Sequence, residues 1–329
     1  MKLHFVRDLG KDTQVVDFFL VTKSSVRDAK NKTQYASYSL SDKTGTVDAR
    51  HWGCGTAFPE NTVVKVEADV DEYQGKLQLK ISRIRQAELG EECFSPDRDD
   101  PYVVEASDFA KCSVRSYEDM EFQLRTIVSK LEPECLKDLA SRVFLNNQLT
   151  TKKFLTASAA KTIHNAYIGG LAEHTLSMCV AADRLAEHYE VDRNLAVVGC
   201  LLHDVGKIHE LETSMLGVTR YSAEGNLLGH IQIGLQVVTD VLDQMRDEFP
   251  WELRLRVLHM VASHHGKREW GSPVVPATKE ALLLHAVDVL DARMFMFDAS
   301  LEEDQSSDPE YTAPNYKMDG AHLFKGVRP

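Results

Sequence analysis

The chain has no apolar run near the ~18 residues a membrane span needs. Its longest, Leu195 to Leu202, is eight of 329 residues, so a membrane partner is not expected. The opening Met1-Lys2-Leu3-His4-Phe5-Val6-Arg7-Asp8 carries no apolar core of a secretory signal. Six cysteines (54, 93, 112, 135, 179 and 200) form no CxxC pair and no regular spacing, as expected of a reduced, cytoplasmic protein. Gly and Pro together number 28, and no internal repeat occurs, which excludes collagen-like and low-complexity classes. A positive surplus is lacking too: the net charge of −12 argues against a surface coated in non-specific nucleic-acid affinity. What remains, 43% hydrophobic and 27% charged, is a globular composition, and the length fits about two domains at roughly 150 residues each.

Charge and histidine are unevenly spread. Residues 1–90 carry 14 Lys+Arg against 12 Asp+Glu, a balance of +2, which leaves 24 against 38, or −14, for residues 91–329. Ten of 13 histidines fall between His164 and His285. The first asymmetry implies two jobs and the second a metal site.

Residues 13–86 read as five short strands. Val15 to Lys23 is rich in Val and Phe, and Tyr35, Ser37 and Ser39 alternate with Ala36, Tyr38 and Leu40. Asp42-Lys43-Thr44-Gly45 turns the chain into Val47 to Trp52, and Tyr73-Gln74-Gly75-Lys76 separates Val63–Val70 from Leu77–Ile81. Five strands in so short a segment predict a small oligonucleotide/oligosaccharide-binding (OB) barrel over 1–90. Within it, Lys23, Arg27, Lys30 and Lys32 lie near the aromatics Phe19, Tyr35, Tyr38 and Trp52. Cations that track phosphates beside rings that stack bases are how such barrels bind single strands. Lys23, Arg27, Tyr35 and Trp52 are the candidate contacts. Phe18 and Phe19 are strand neighbours and point to opposite sides, so one aromatic is expected outside the first sheet face.

Residues 91–120, acidic and with Pro96 and Pro101, read as a linker. From 121 to 298 the periodicity is helical, with segments at Leu171–Tyr189, Leu195–His203, Ile231–Met245, Trp251–Ser263 and Ala281–Phe297. Pro250 suits a first helical position. Residues 299–329 read as a polar, solvated tail, although Tyr311, Tyr316 and Phe324 offer aromatics for packing on a second copy in a homo-oligomer.

The chemistry centres on His203-Asp204-Val205-Gly206-Lys207, joined by His174, His230, His264-His265 and Asp288, each on a predicted helix or at its end. Imidazole and carboxylate together suit Mn, Fe, Co, Ni or Zn rather than Mg or Ca. Seven candidate ligands exceed the needs of one ion, whereas two ions about 3.5–4 Å apart with a bridging carboxylate use them all. Such a pair clamps the attacking and leaving oxygens of a phosphodiester. Asp291 shares a helix face with Asp288, so the two can exchange roles.

His174 … His203-Asp204 … Asp288 resembles the HD superfamily of metal-dependent phosphohydrolases, which are all-α, and the additional histidines resemble its two-metal branch. The segment Ala159-Ala160-Lys161-Thr162-Ile163-His164-Asn165-Ala166-Tyr167-Ile168-Gly169-Gly170-Leu171-Ala172-Glu173-His174-Thr175 resembles the hallmark of YhaM-type 3′→5′ exoribonucleases, which also place an OB domain before the HD domain. The resemblance implies one metal on His174, His203, Asp204 and Asp288, and a second on Asp204, His230, His264 and His265. It implies manganese as the favoured ion and Lys207 as a catalytic cation beside Asp204, with His164 and Arg268 gripping substrate phosphate. Single-stranded RNA would then be trimmed from its 3′ end to nucleoside 5′-monophosphates. Single-stranded DNA is a second substrate candidate, because no reader of the 2′-hydroxyl is identifiable. The alternative is an HD-type hydrolase of nucleotides or cyclic dinucleotides with the barrel as sensor.

Overall fold

The computed structural model describes the chain except residues 1, 3, 30–32, 94–101, 162–164, 215, 305 and 327–329. It divides into two compact units, Met1–Cys112 with Thr213–Val218, and Ser113–Glu212 with Thr219–Pro329.

In the first unit β1 (Gln14–Asp28), β2 (Gln34–Asp42), β3 (Gly45–Trp52), β4 (Val63–Tyr73) and β5 (Lys76–Gln86) close a barrel in the order β1-β2-β3-β5-β4. The fold is an OB-like barrel. Its β3–β5 pair is parallel and the other pairs are antiparallel. Alternation decides the inside: Ala36, Tyr38 and Leu40 point into the core, and Tyr35, Ser37 and Ser39 point out. The β4–β5 turn places Gln74 and Gly75 at φ 53° and 77°, the two positive values a two-residue hairpin requires. Asp42 closes the β2–β3 turn by accepting from Thr44 N (2.8 Å) and Thr44 Oγ1 (2.6 Å).

Phe18 does not supply an outward stacking surface. It and Phe19 are both fully buried, Phe19 in the barrel core and Phe18 in a second cluster with Leu20, Val63, Val104 and Phe109. That second cluster also changes the reading of residues 91–120. Beyond the short strands β6 (Glu92–Cys93) and β7 (Tyr102–Val103), Val104, Asp108, Phe109 and Ala110 are buried in the first unit rather than spanning a free linker.

The second unit is helical: α1 (Tyr117–Ser129), α2 (Glu134–Phe144), α3 (Gln148–Thr156), α4 (Gly170–His188), α5 (Arg193–Leu202), α6 (Lys207–Glu210), α7 (Ala223–Gln244), α8 (Trp251–Ser263) and α9 (Lys279–Glu303). A small β8–β9 sheet (Leu211–Thr213, Thr219–Tyr221) precedes α7. Every residue of α5 from Leu195 to Leu202 is buried, as an all-round apolar helix requires. Gly199 lets α8 approach so closely that a Cβ there would sit 1.9 Å from Met260 Cε. With each fully buried aliphatic side chain worth about 1.5–3 kcal/mol, α5 is a rigid post, and His203-Asp204 is mounted on its end.

Three features differ from the sequence expectation. α7 begins at Ala223 and is broken at Gly229 (φ 74°, ψ 156°). Pro250 is the N-cap of α8, with extended backbone, rather than its first helical residue. The tail is folded back on itself: Tyr311 bridges Phe324, Asn315 bridges Ala321, and Thr312 and Leu323 are buried. Among the described residues no helix is long and apolar enough to cross a membrane.

Candidate metal centre

The seven candidate ligands come from five places: His174 from the first turns of α4, His203 and Asp204 from the end of α5, His230 from the break in α7, His264 and His265 from the end of α8, and Asp288 from α9. The structure gathers them as two triads, His174/His203/Asp288 and His230/His264/His265, whose ligand atoms lie within 4.8 Å of one another in each. Asp204 stands between. Its Oδ2 is 3.2 Å from His203 Nε2, and its Oδ1 is 3.5 Å from His230 Nε2 and 3.6 Å from His264 Nε2.

The far side of each imidazole decides what the near side offers. His203 Nδ1 is 2.8 Å from Cys200 O, His264 Nδ1 is 2.7 Å from Val261 O, and His265 Nδ1 is 2.7 Å from Trp270 O. A carbonyl can only accept, so each Nδ1 donates and each Nε2 is the ring atom left to face the centre. Carboxylates accept from Nδ1 of the other two rings, Asp291 at 2.7 Å from His174 Nδ1 and Glu210 at 3.1 Å from His230 Nδ1. His230 Nε2 and His265 Nε2 then face each other at 3.3 Å, lone pair to lone pair, a repulsion that an intervening cation reverses. His203 Nε2, Asp204 Oδ1 and His264 Nε2 are buried without a hydrogen-bond partner. Buried polar atoms demand partners, and five inward-facing imidazole nitrogens with shared carboxylates fit divalent metal ions.

The electrostatics agree. Burial pushes the His174 imidazole down, but Asp288 and Asp291 outweigh it and lift it to about 9, so without a metal this ring holds a proton at Nε2 that a bound cation would displace. Burial likewise opposes the Lys207 ammonium, yet Asp204 at 2.7 Å holds it above the usual lysine range. Despite burial, Lys207 and His203 keep the Asp204 carboxyl well below the ordinary carboxylate range. Asp204 and Asp288 thus stay ionised although buried, two carboxylates available to a cation.

Asp288 and Asp291 do not exchange places. Asp288 faces the centre through Oδ1, 3.2 Å from His174 Nε2, while Asp291 lies behind the ring and also accepts from Ser177 Oγ at 2.5 Å. Arg268 is exposed, in the 3-10 turn Arg268–Trp270 whose last carbonyl holds His265. His164 lies outside the described residues, as do Lys30 and Lys32.

On the barrel, Lys23, Arg27, Tyr35 and Trp52 share an outward face: Arg27 is opposite Tyr35, Tyr35 opposite Trp52, and Lys23 opposite Ser39. The Tyr35 and Trp52 rings lie 4.5 Å apart. Tyr38 and Phe19 are core. The sequence reading missed Arg50, whose guanidinium lies 5.8 Å from the Tyr35 ring and 5.4 Å from that of Tyr73, and Lys80, which is opposite Arg50. Their signal was the outward parity of β3 and β5. Glu210 was missed as well, because only tertiary folding brings it to His230.

Residues 171–293 match the HD domain family, so the chain carries an HD domain after its OB-like barrel. HD domains bind divalent metals, and the two clusters can hold them. Among solved structures the chain is similar to the second OB-fold domain of replication protein A from Methanococcus maripaludis (17% identity, 26% of this chain and 94% of that one, TM-score 0.23). It is also similar to a replication protein A heterotrimer bound to ssDNA (23% identity, 23% of this chain and 57% of that one, TM-score 0.20).

Proposed function

We propose that the protein is a 3′→5′ exonuclease of single-stranded nucleic acid, RNA above all, releasing nucleoside 5′-monophosphates. The observation that carries this reading is Asp204, a buried carboxylate whose two oxygens face the two triads. His174, His203, Asp204 and Asp288 would hold one ion, and Asp204, His230, His264 and His265 the other, with manganese the favoured metal. Bound there, the pair supplies Lewis-acid charge for a phosphodiester in line with its attacking and leaving oxygens.

The protein's own groups do the rest. The Nδ1 hydrogen bonds aim the Nε2 atoms of the imidazoles at the centre. Lys207, buried against Asp204, fixes that carboxylate and places a positive charge where phosphoryl oxygens gain negative charge. Arg268, exposed beside His265, offers a contact to the substrate phosphate. On the barrel, Tyr35 and Trp52 give bases a stacking surface, and Lys23, Arg27, Arg50 and Lys80 give the backbone its cations. The serines between them (Ser25, Ser37 and Ser39) leave that face flat enough for a strand.

Product analysis tests the proposal. With manganese, a single-stranded oligoribonucleotide should yield 5′-mononucleotides, and a 3′-blocked one should resist. Intact RNA together with turnover of free nucleotides or cyclic dinucleotides would replace this reading with the small-molecule hydrolase.

A further inference from the structure

α7 is not one helix. At Gly229 the backbone leaves helical geometry (φ 74°, ψ 156°), and the residue that opens the second segment is His230. The first N–H groups of a helix have no partner within it. Here the peptide N–H of His230 donates to Glu210 Oε1 at 2.9 Å, and the same oxygen lies 3.1 Å from His230 Nδ1. One carboxylate oxygen therefore holds both the backbone and the ring of a single residue. That leaves the ring little rotational freedom and directs its Nε2 at His265 Nε2 and Asp204 Oδ1.

The surroundings are built for this contact. Glu210 is itself buried, and its carbonyl accepts from Ser222 N at 2.9 Å, just before α7. A Cβ at Gly225 would lie 2.3 Å from Glu210 O, and one at Gly206 would lie 2.0 Å from His230 O. Only glycine lets the turn after Asp204 seat itself against both the start and the break of α7. A carboxylate at a helix N-terminus is also favoured by the helix dipole.

We infer that Glu210 is a positioning residue for the metal held by His230, His264 and His265: by accepting from both the peptide N–H and Nδ1–H of His230, it fixes that ring's tautomer and aim. This rests on reading that triad as metal-holding. The test has two readouts, manganese titration of the full chain and imidazole 15N NMR of the metal-free chain, on wild type, Glu210→Ala and Glu210→Gln. In Glu210→Ala one of two manganese ions should bind about 10–100-fold more weakly and the other unchanged, the usual effect of losing such a support. In the same variant the His230 proton should leave Nδ1 for Nε2. Glu210→Gln, whose amide oxygen still accepts, should restore both readouts.

Unchanged titration and tautomer in Glu210→Ala overturn the inference, as does loss of both ions together with the fold. A Glu210→Gln chain that behaves like Glu210→Ala overturns the hydrogen-bonding role. If wild type takes up no manganese, the metal reading fails, and the His230 tautomer alone decides for or against Glu210.

Discussion

Asp288 and Asp291 grip one imidazole from opposite edges: Asp288 Oδ1 is 3.2 Å from His174 Nε2, and Asp291 Oδ2 is 2.7 Å from His174 Nδ1. One helical step apart on α9, they do different work, one facing the centre and one behind the ring. Asp291→Ala should therefore weaken manganese binding at the His174 triad about 10–100-fold. Asp288→Ala should abolish that site. Calorimetric titration separates the two, and equal effects would contradict the division of roles.

Metal binding should be visible as stability. An ion at 100 times its Kd adds about 2.7 kcal/mol, and a domain of this size gains about 2–4 °C per kcal/mol. Saturating manganese should thus raise the melting midpoint of the helical domain by about 5–10 °C, and a chelator should reverse it. His203→Ala and Asp204→Ala should lose the rise. A midpoint indifferent to divalent ions would speak against the centre.

The barrel face should bind without cutting. Trp52→Ala and Tyr35→Ala should each cost about 1–3 kcal/mol of single-strand affinity, measured by fluorescence anisotropy, with little dependence on base sequence. Removal of Lys23, Arg27, Arg50 or Lys80 should flatten the salt dependence by about 0.7 per contact. Hydrolysis of a small diester such as bis(p-nitrophenyl) phosphate should be unaffected by any of them. A parallel loss of small-diester turnover would contradict the separation of binding from cleavage.

Acid should act on the helical domain partly through Glu280, in the first turn of α9. Burial pushes its carboxyl up, but its own backbone amide and Arg256, 2.8 Å away, hold it below the usual range. A depressed carboxyl stabilises the fold above the unfolded glutamate value near pH ~4.3, and that contribution is lost as pH falls through the folded value. Glu280→Gln should therefore be less stable than wild type at neutral pH, and the gap should close below pH ~4 in denaturant titrations. A gap that is constant with pH would exclude the charge.

What was legible in the sequence is what repeats locally or is rare. Strand alternation located all five barrel strands, the concentration of histidine pointed to a metal site, and His203-Asp204 with its partner histidines and Asp288 includes the six residues that the fold gathers as two triads. What was hidden depends on contacts distant in sequence. Phe18 is buried because residues 104–109 return to cover it, and nothing near Phe18 announces that. The first segment of α7 escaped because it shows Leu227 and Leu228 to solvent, 83% and 56% exposed, so no apolar stripe marks it. The separate duties of Asp288 and Asp291 needed the position of the His174 ring, since both sit on the same helix face.

The most direct measurement is a time course on 5′-labelled single-stranded RNA with manganese, wild type beside Asp204→Ala. The account predicts a descending ladder that shortens from the 3′ end in wild type and no shortening in Asp204→Ala. Shortening that persists in Asp204→Ala, or internal cuts in place of a ladder, would contradict it.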